Sequence, residues 1–233
     1  MAIQKPDRDS AATEIRIPLE TMALKGDLRI SPSSTGLVIF VHGSGSSRFS
    51  PRNRQVAERL NKHGFATLLL DLLTEQEHAI DSETMQYRFD IPLLANRTIL
   101  VVNWACRQPE VSRLPIGLFG ASTGAAAALI TAAAMKDQIA TVVSRGGRPD
   151  LAKEALDKVQ APTLLIVGGE DEAVLQLNRK AMQQMTSIKK LNVIPGATHL
   201  FEEPGKLELV ADAASNWFLK YMLRSKLKQK AAG

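Results

Sequence analysis

The sequence predicts an α/β fold: a mostly parallel sheet of eight strands, helices on both faces and no large cap domain. Two observations predict the layers. Short runs rich in valine, isoleucine and leucine recur, each closed by glycine, proline or a polar cluster. Longer stretches of helical period lie between them, and repeated strand–helix–strand units build a sheet covered on both sides. A third observation, a serine between two glycines at a strand end, selects the kind of α/β fold and is argued below. No linker, repeat or low-complexity tract divides the 233 residues. The expected organisation is a flexible segment 1–13, one domain over 14–224 and a basic flexible tail 225–233.

The elements follow in chain order. "EIRIPL" from Glu14 alternates polar and apolar residues like a strand with one wet face, and "ALKGDLRI" returns beside it as an antiparallel edge. From Gly36 onward, "GLVIFV", "FATLLL", "PIGLFG", "IATVV", "PTLLIV" and "KKLNVIP" are mostly continuous apolar runs. Such runs suit strands buried on both faces of a parallel sheet. Helices are expected at 51–62, 92–107, 123–135, 151–159 and 174–185. A last helix carries Leu207, Val210, Ala211, Ala214, Trp217, Phe218 and Tyr221 on one stripe. Few residues separate the strand near Val142 from the one near Leu164, which leaves little room for an inserted cap. The longest irregular piece, 71–90, reads as a loop, either a lid over a site or solvated acidic surface.

Composition narrows the function. The chain is 45% hydrophobic and 23% charged, as in a globular protein with a real core. Its net charge of +5 owes much to the terminal "RSKLKQK", and only 5% of residues are aromatic, so a nucleic-acid stacking surface is not expected. No apolar run approaches the roughly 20 residues that span a bilayer, and "MAIQKPDRDSAAT" lacks the apolar centre of a secretory signal. Cys106 is the only cysteine, excluding an intrachain disulfide. It reads as a quietly buried thiol on a helix face, and a reducing cytoplasm fits.

The chemistry gathers at "GASTG". Ser122 follows the strand "IGLF" and precedes an alanine-rich helix, with Gly120 and Gly124 on either side. That is the strand–turn–helix setting of a nucleophile elbow, and a plain packing turn is the alternative. A serine hydroxyl needs a base, because it is far too weak an acid to ionise near neutrality. Of four histidines only His199, in "VIPGATHLFEEPG", follows Ser122. Between them, "LLIVGGEDEAV" places Asp171 just past a strand end, flanked by Glu170 and Glu172. The chain order serine, acid, histidine is that of the α/β-hydrolase arrangement, in which the acid holds the imidazole tautomer. In "VHGSGSS", glycines allow close backbone approach, and the N–H groups of Ser44 and Thr123 are the candidate oxyanion donors. The same stretch lacks the third glycine of a dinucleotide fingerprint and the Gly-Lys-Ser/Thr ending of a P-loop. His42 reads as a structural brace.

"HGSGSS", "GASTG", "GGEDEAV" and "PGATHLFEEPG", in this order across nearly the whole chain, resemble the dienelactone hydrolase-like branch of the α/β-hydrolase superfamily. "HGSGSSRFSPRNRQVAERL" and "VVSRGGRPDL" resemble a subgroup often fused to, or named alongside, a phosphoribosyltransferase. The resemblance implies a Ser-His-Asp hydrolase at Ser122, His199 and Asp171, with Ser44 and Thr123 at the oxyanion hole. Dienelactone hydrolases proper are similar in fold but use cysteine as nucleophile, which puts dienelactone itself in doubt. No acidic pair leads into a phosphoribosyltransferase-type phosphate loop, so that activity is expected of a fused partner.

The expected reaction is cleavage of a small ester or lactone through an acyl-enzyme, with no cofactor, metal, nucleic-acid or membrane partner. A thioesterase or acyltransferase shares the same triad, and a non-catalytic binding protein shares the same fold. Arg48 and Arg145 follow strand ends near the site. Arg52 and Arg54 crowd a helix N-terminus, where the macrodipole disfavours cations. An anionic group on the substrate explains this placement, and ordinary surface arginines are the alternative.

Overall fold

A computed structural model describes residues 11–19 and 22–232 of the chain. In order the elements are β1 Thr13–Pro18, β2 Ala23–Arg29, β3 Leu37–Val41, α1 Pro51–Lys62, β4 Ala66–Leu70, α2 Glu75–Thr84 and α3 Ile91–Ala105. They continue with β5 Ile116–Ala121, α4 Thr123–Ala134, β6 Ile139–Arg145, a 3-10 segment Pro149–Lys158, β7 Thr163–Gly168, α5 Glu172–Gln184, β8 Lys189–Ile194 and α6 Lys206–Ala232. Most of the 1–13 segment lies outside the described residues. Where the sequence suggested a flexible tail, the α6 backbone continues to Ala232.

The eight strands form one sheet in the order β1-β2-β4-β3-β5-β6-β7-β8. The β1/β2 and β2/β4 pairs are antiparallel and the rest parallel, as the alternating and continuous apolar patterns indicated. Every residue of β3, β4, β5 and β7 is buried, because helices cover both faces. Side chains still alternate between two cores. Leu37, Ile39, Val41 and Leu118 face the alanine-rich α4 together with α3. Val38, Phe40, Phe119 and Val143 face α1 and the stripe of α6. Trp217 of that stripe also donates its Nε1–H to Thr141 Oγ1 at 2.8 Å, so its buried polar atom is satisfied.

The register brings the strand ends together. Val41 lies opposite Gly120, and Ala121 opposite Arg145, so β3, β5 and β6 finish side by side. The residues just past those ends, His42-Gly43, Ser122 and Gly146, are therefore neighbours, which is where open parallel sheets collect their reactive groups.

Two expectations are corrected. Residues 71–90 are not an irregular loop. They contain α2, whose N-cap Thr74 forms a reciprocal capping box with Glu77. The segment is anchored: Arg97 Nη1 donates to Glu77 Oε2 at 2.7 Å and to the Leu72 carbonyl at 2.6 Å. Cys106 is exposed rather than buried, because α3 ends at Ala105 and the thiol falls on the cap beyond the packed face.

Candidate active site

Steric necessity at two glycines sets the turn. A Cβ on Gly124 would lie 2.3 Å from the carbonyl oxygens of Val41 and His42, and one on Gly120 would lie 2.5 Å from Ala125 Cα. Neither position tolerates a side chain, so α4 packs directly onto the ends of β3 and β5. Between them Ser122 is held at φ 50° and ψ −122°, a conformation non-glycine residues rarely adopt. Backbone hydrogen bonds over-determine it. Its N–H donates to the Arg145 carbonyl at 3.1 Å, and its carbonyl accepts from Ala125 and Arg148 at 3.1 and 3.0 Å.

The β8–α6 connection brings His199 to this turn. His199 Nε2 lies 3.4 Å from Ser122 Oγ, and Nδ1 lies 2.6 Å from Asp171 Oδ2. Asp171 is the N-cap residue of α5, two residues beyond the glycine pair that closes β7. The geometry separates it from its acidic neighbours, since the hydrogen bond to His199 belongs to Asp171. The imidazole is partly open to solvent and the carboxylate mostly covered, with side-chain exposures of 38% and 14%. The loop behind the imidazole is fixed by Glu203, whose Oε1 accepts the Thr198 N–H at 3.0 Å.

Opposite His199 runs the turn after β3. A Cβ on Gly43 would lie 3.0 Å from Ser122 Cβ, which places this backbone against the serine. His42 is a brace: its Nδ1–H donates to the Gly43 carbonyl at 2.9 Å and its Nε2 accepts from the Leu72 N–H at 3.0 Å. Burial lowers its pKa, so the neutral ring is the one that accepts. The Ser44 N–H has a partner that the sequence did not disclose. It donates to Thr123 Oγ1 at 2.8 Å. The N–H of Thr123 sits at the first position of α4, which has no intrahelical acceptor.

The arginines are placed differently from expectation. Arg48 is 6% exposed, and three carboxylates surround its guanidinium: Glu14 at 2.7 Å, Asp27 at 3.4 Å and Asp71 at 3.5 Å. It ties the β1–β2 edge to the end of β4. Arg145 is buried, and its Nη2 donates to Asn53 Oδ1 at 3.1 Å. Burial and the neighbouring Arg52 lower its pKa to about 10. The cations at the α1 N-terminus are offset from elsewhere, Arg52 by Glu202 at 2.6 Å and Arg54 by Asp27 at 3.0 Å. That arrangement answers the charge anomaly without a substrate anion.

Beside the β3 turn a cavity of about 230 Å³ opens between His42, Ser46 and Ser47 on one side and Leu73, Thr74 and His78 on the other. A charged group that sequence reasoning missed approaches the β3 turn, where a Cβ on Gly45 would stand 3.4 Å from Arg88 Nη1. Arg88, after α2, is clamped by Asp81. Its partner Asp81 is the one buried residue of α2.

The description "Dienelactone hydrolase family" matches residues 28–223. A crystal structure of a dienelactone hydrolase from Anabaena variabilis superposes with a TM-score of 0.89 at 51% identity, covering 91% of this chain and 100% of that one. A Mycobacterium tuberculosis H37Rv protein bearing the name "Putative phosphoribosyl transferase Rv0571c" is 50% identical over 221 residues, 95% of this chain. The match covers 48% of that protein, so the chain spans about half the length of the curated relatives it matches. Est1E from Butyrivibrio proteoclasticus shares the fold, with a TM-score of 0.76 at 22% identity, covering 92% of this chain and 100% of its own.

Proposed function

This chain belongs to the dienelactone hydrolase family, and from that premise we propose that it is a serine hydrolase cleaving a small ester or lactone through Ser122, His199 and Asp171. The observation that carries the reading is His199 bridging Asp171 at 2.6 Å and Ser122 at 3.4 Å through its two ring nitrogens. One contact fixes the tautomer and the other addresses the nucleophile.

The reaction runs in two halves. Ser122 Oγ attacks the carbonyl carbon while its proton passes to His199 Nε2, and Asp171 stabilises the resulting imidazolium. His199 then returns the proton to the departing alkoxide, leaving an acyl-serine. Water, deprotonated by the same imidazole, releases the acid. The oxyanion of each tetrahedral intermediate is received by the Thr123 N–H, joined by the Ser44 N–H as it turns from the Thr123 hydroxyl. The strained backbone at Ser122 holds the hydroxyl out at the strand end for this approach.

The name of the Anabaena relative supports lactone or ester bonds as the target class. Phosphoribosyl transfer, in the names of the longer relatives, is assigned here to the rest of their length. The single cysteine suits a reducing compartment, and the activity is placed in the cytoplasm. A fluorophosphonate probe tests the nucleophile directly. Wild type is expected to label stoichiometrically at Ser122, and an unlabelled protein would return Ser122 to the status of a turn residue.

A further inference from the structure

The helix that follows Ser122 has no wet face. The residues of α4, TGAAAALITAAA, include no charged or amide side chain, whereas a helix at a protein surface ordinarily turns a polar stripe to water. α3 flanks α4 on one side and the 3-10 segment Pro149–Lys158 on the other. They do not close over it, since Ile130 and Ala133 are half-buried and Ala134 is exposed. Above these residues a groove of about 630 Å³ lies open, with Phe89 and Pro92 on the α3 lip and Leu151 and Ala155 on the 3-10 lip. At 58%, Phe89 is the most exposed large apolar side chain among the described residues, so the groove carries an aromatic knob on its own edge. The two lips also differ in charge. Asp90, next to Phe89 and exposed, caps α3. Among the residues lining the other lip, Lys153 and Lys158 outnumber the one acid, Glu154.

We propose that this groove is the interface of a homodimer, the Phe89 lip of each copy entering the groove of the other. A twofold contact needs a surface that complements itself, and here knob and groove lie side by side on one face. Charge selects the symmetry axis. A twofold axis parallel to α4 turns each Asp90 toward Lys153 and Lys158 of the second copy, whereas an axis across α4 sets the lysine lips against each other. The small side chains Ala133, Ala134 and Ala155 let the two backbones approach. Phe89 then supplies the buried aromatic anchor on which interface energy concentrates, and the lip charges fix orientation more than they add affinity. No catalytic group takes part, so the inference stands apart from the hydrolase reading.

Sedimentation velocity of the full chain across micromolar concentrations tests it. Wild type is expected to sediment as a dimer, twice the mass of the chain. Phe89→Ser removes the knob and Ala133→Glu puts a charge into the groove, and each should raise the dissociation constant at least about tenfold with circular dichroism unchanged. A charge exchange tests the orientation. Asp90→Lys alone, and Lys153→Glu with Lys158→Glu alone, should each weaken self-association by opposing like charges. Mixed together, the two variant proteins should pair, because every lip then meets its opposite. A wild type that stays monomeric at the highest concentration overturns the inference and leaves the groove to a different occupant. A dimer that survives both Phe89→Ser and Ala133→Glu overturns it too, by placing the contact on another face. If Ala133→Glu fails to fold, the Phe89→Ser result decides, and a mixture that does not pair removes the proposed axis.

Discussion

The backbone N–H of Ser44 donates to the hydroxyl oxygen of Thr123 at 2.8 Å, so the two residues proposed to receive the oxyanion are hydrogen-bonded to each other at rest. The bond spans the gap between the β3 turn and α4, fixing the distance between the two backbone amides. The resting site thus keeps a half-buried donor satisfied until substrate arrives, and the Thr123 hydroxyl is what satisfies it.

Thr123→Val keeps the side-chain shape and deletes the acceptor. It should destabilise the protein by about 1 kcal/mol, the scale of one ordinary hydrogen bond at a half-buried donor, and lower kcat more than it changes KM. Thr123→Ser, which restores an acceptor, should recover both. Denaturant melts and steady-state kinetics on the three proteins check this, and a Val variant equal to wild type in both would remove the bond from the account.

Asp171→Asn leaves the volume unchanged but presents an amide to His199 Nδ1, favouring the wrong tautomer. By analogy with the same change in serine proteases, kcat should fall on the order of 10³–10⁴-fold. Circular dichroism should be unaltered. A loss below tenfold would transfer the acid's role to Glu170 or Glu172, which variants at those positions would reveal.

Gly124→Ala adds a methyl 2.3 Å from two main-chain oxygens, which cannot move aside as a side-chain tip can. The helix must separate from β3, lowering Tm by several degrees and disturbing the Ser122 turn. A variant with unchanged Tm and activity would contradict the close packing described for α4.

The α2 segment should loosen in acid. Burial by itself would raise the Asp81 carboxyl, but hydrogen bonds from the Arg88 backbone and side chain and from the Tyr87 N–H together hold it below its ordinary value. A depressed folded-state pKa stabilises the fold above the unfolded value near 4, and that contribution is lost as pH falls through the folded one. The Tm difference between wild type and Asp81→Asn should therefore be clear at pH 7 and shrink below about pH 4. A gap that is the same at pH 7 and pH 3 would speak against a charged Asp81 as the anchor.

The sequence disclosed what periodicity and local chemistry encode. Pro51 behind the capping Ser50 marks the start of α1, and the continuous apolar runs separate the parallel strands from the alternating β1–β2 edge. Ser122 and His199 were legible because one chain order and one downstream histidine leave few choices. Residues 71–90 hid α2 because that helix has just one buried residue, Asp81, and so no apolar stripe. The capping box was its visible trace. Side-chain partners between distant segments were not legible at all. Arg48 looks the same in sequence whether it meets a substrate or is enclosed by Glu14, Asp27 and Asp71, and the choice belongs to tertiary packing.

The central claim is that Ser122 is a nucleophile activated by His199, and hydrolysis of p-nitrophenyl acetate by wild type and Ser122→Ala tests it most directly. The account predicts Ser122-dependent turnover in wild type and a loss on the order of 10³-fold or more in the variant, with its circular dichroism and Tm preserved. Unchanged hydrolysis by a folded Ser122→Ala protein would contradict it.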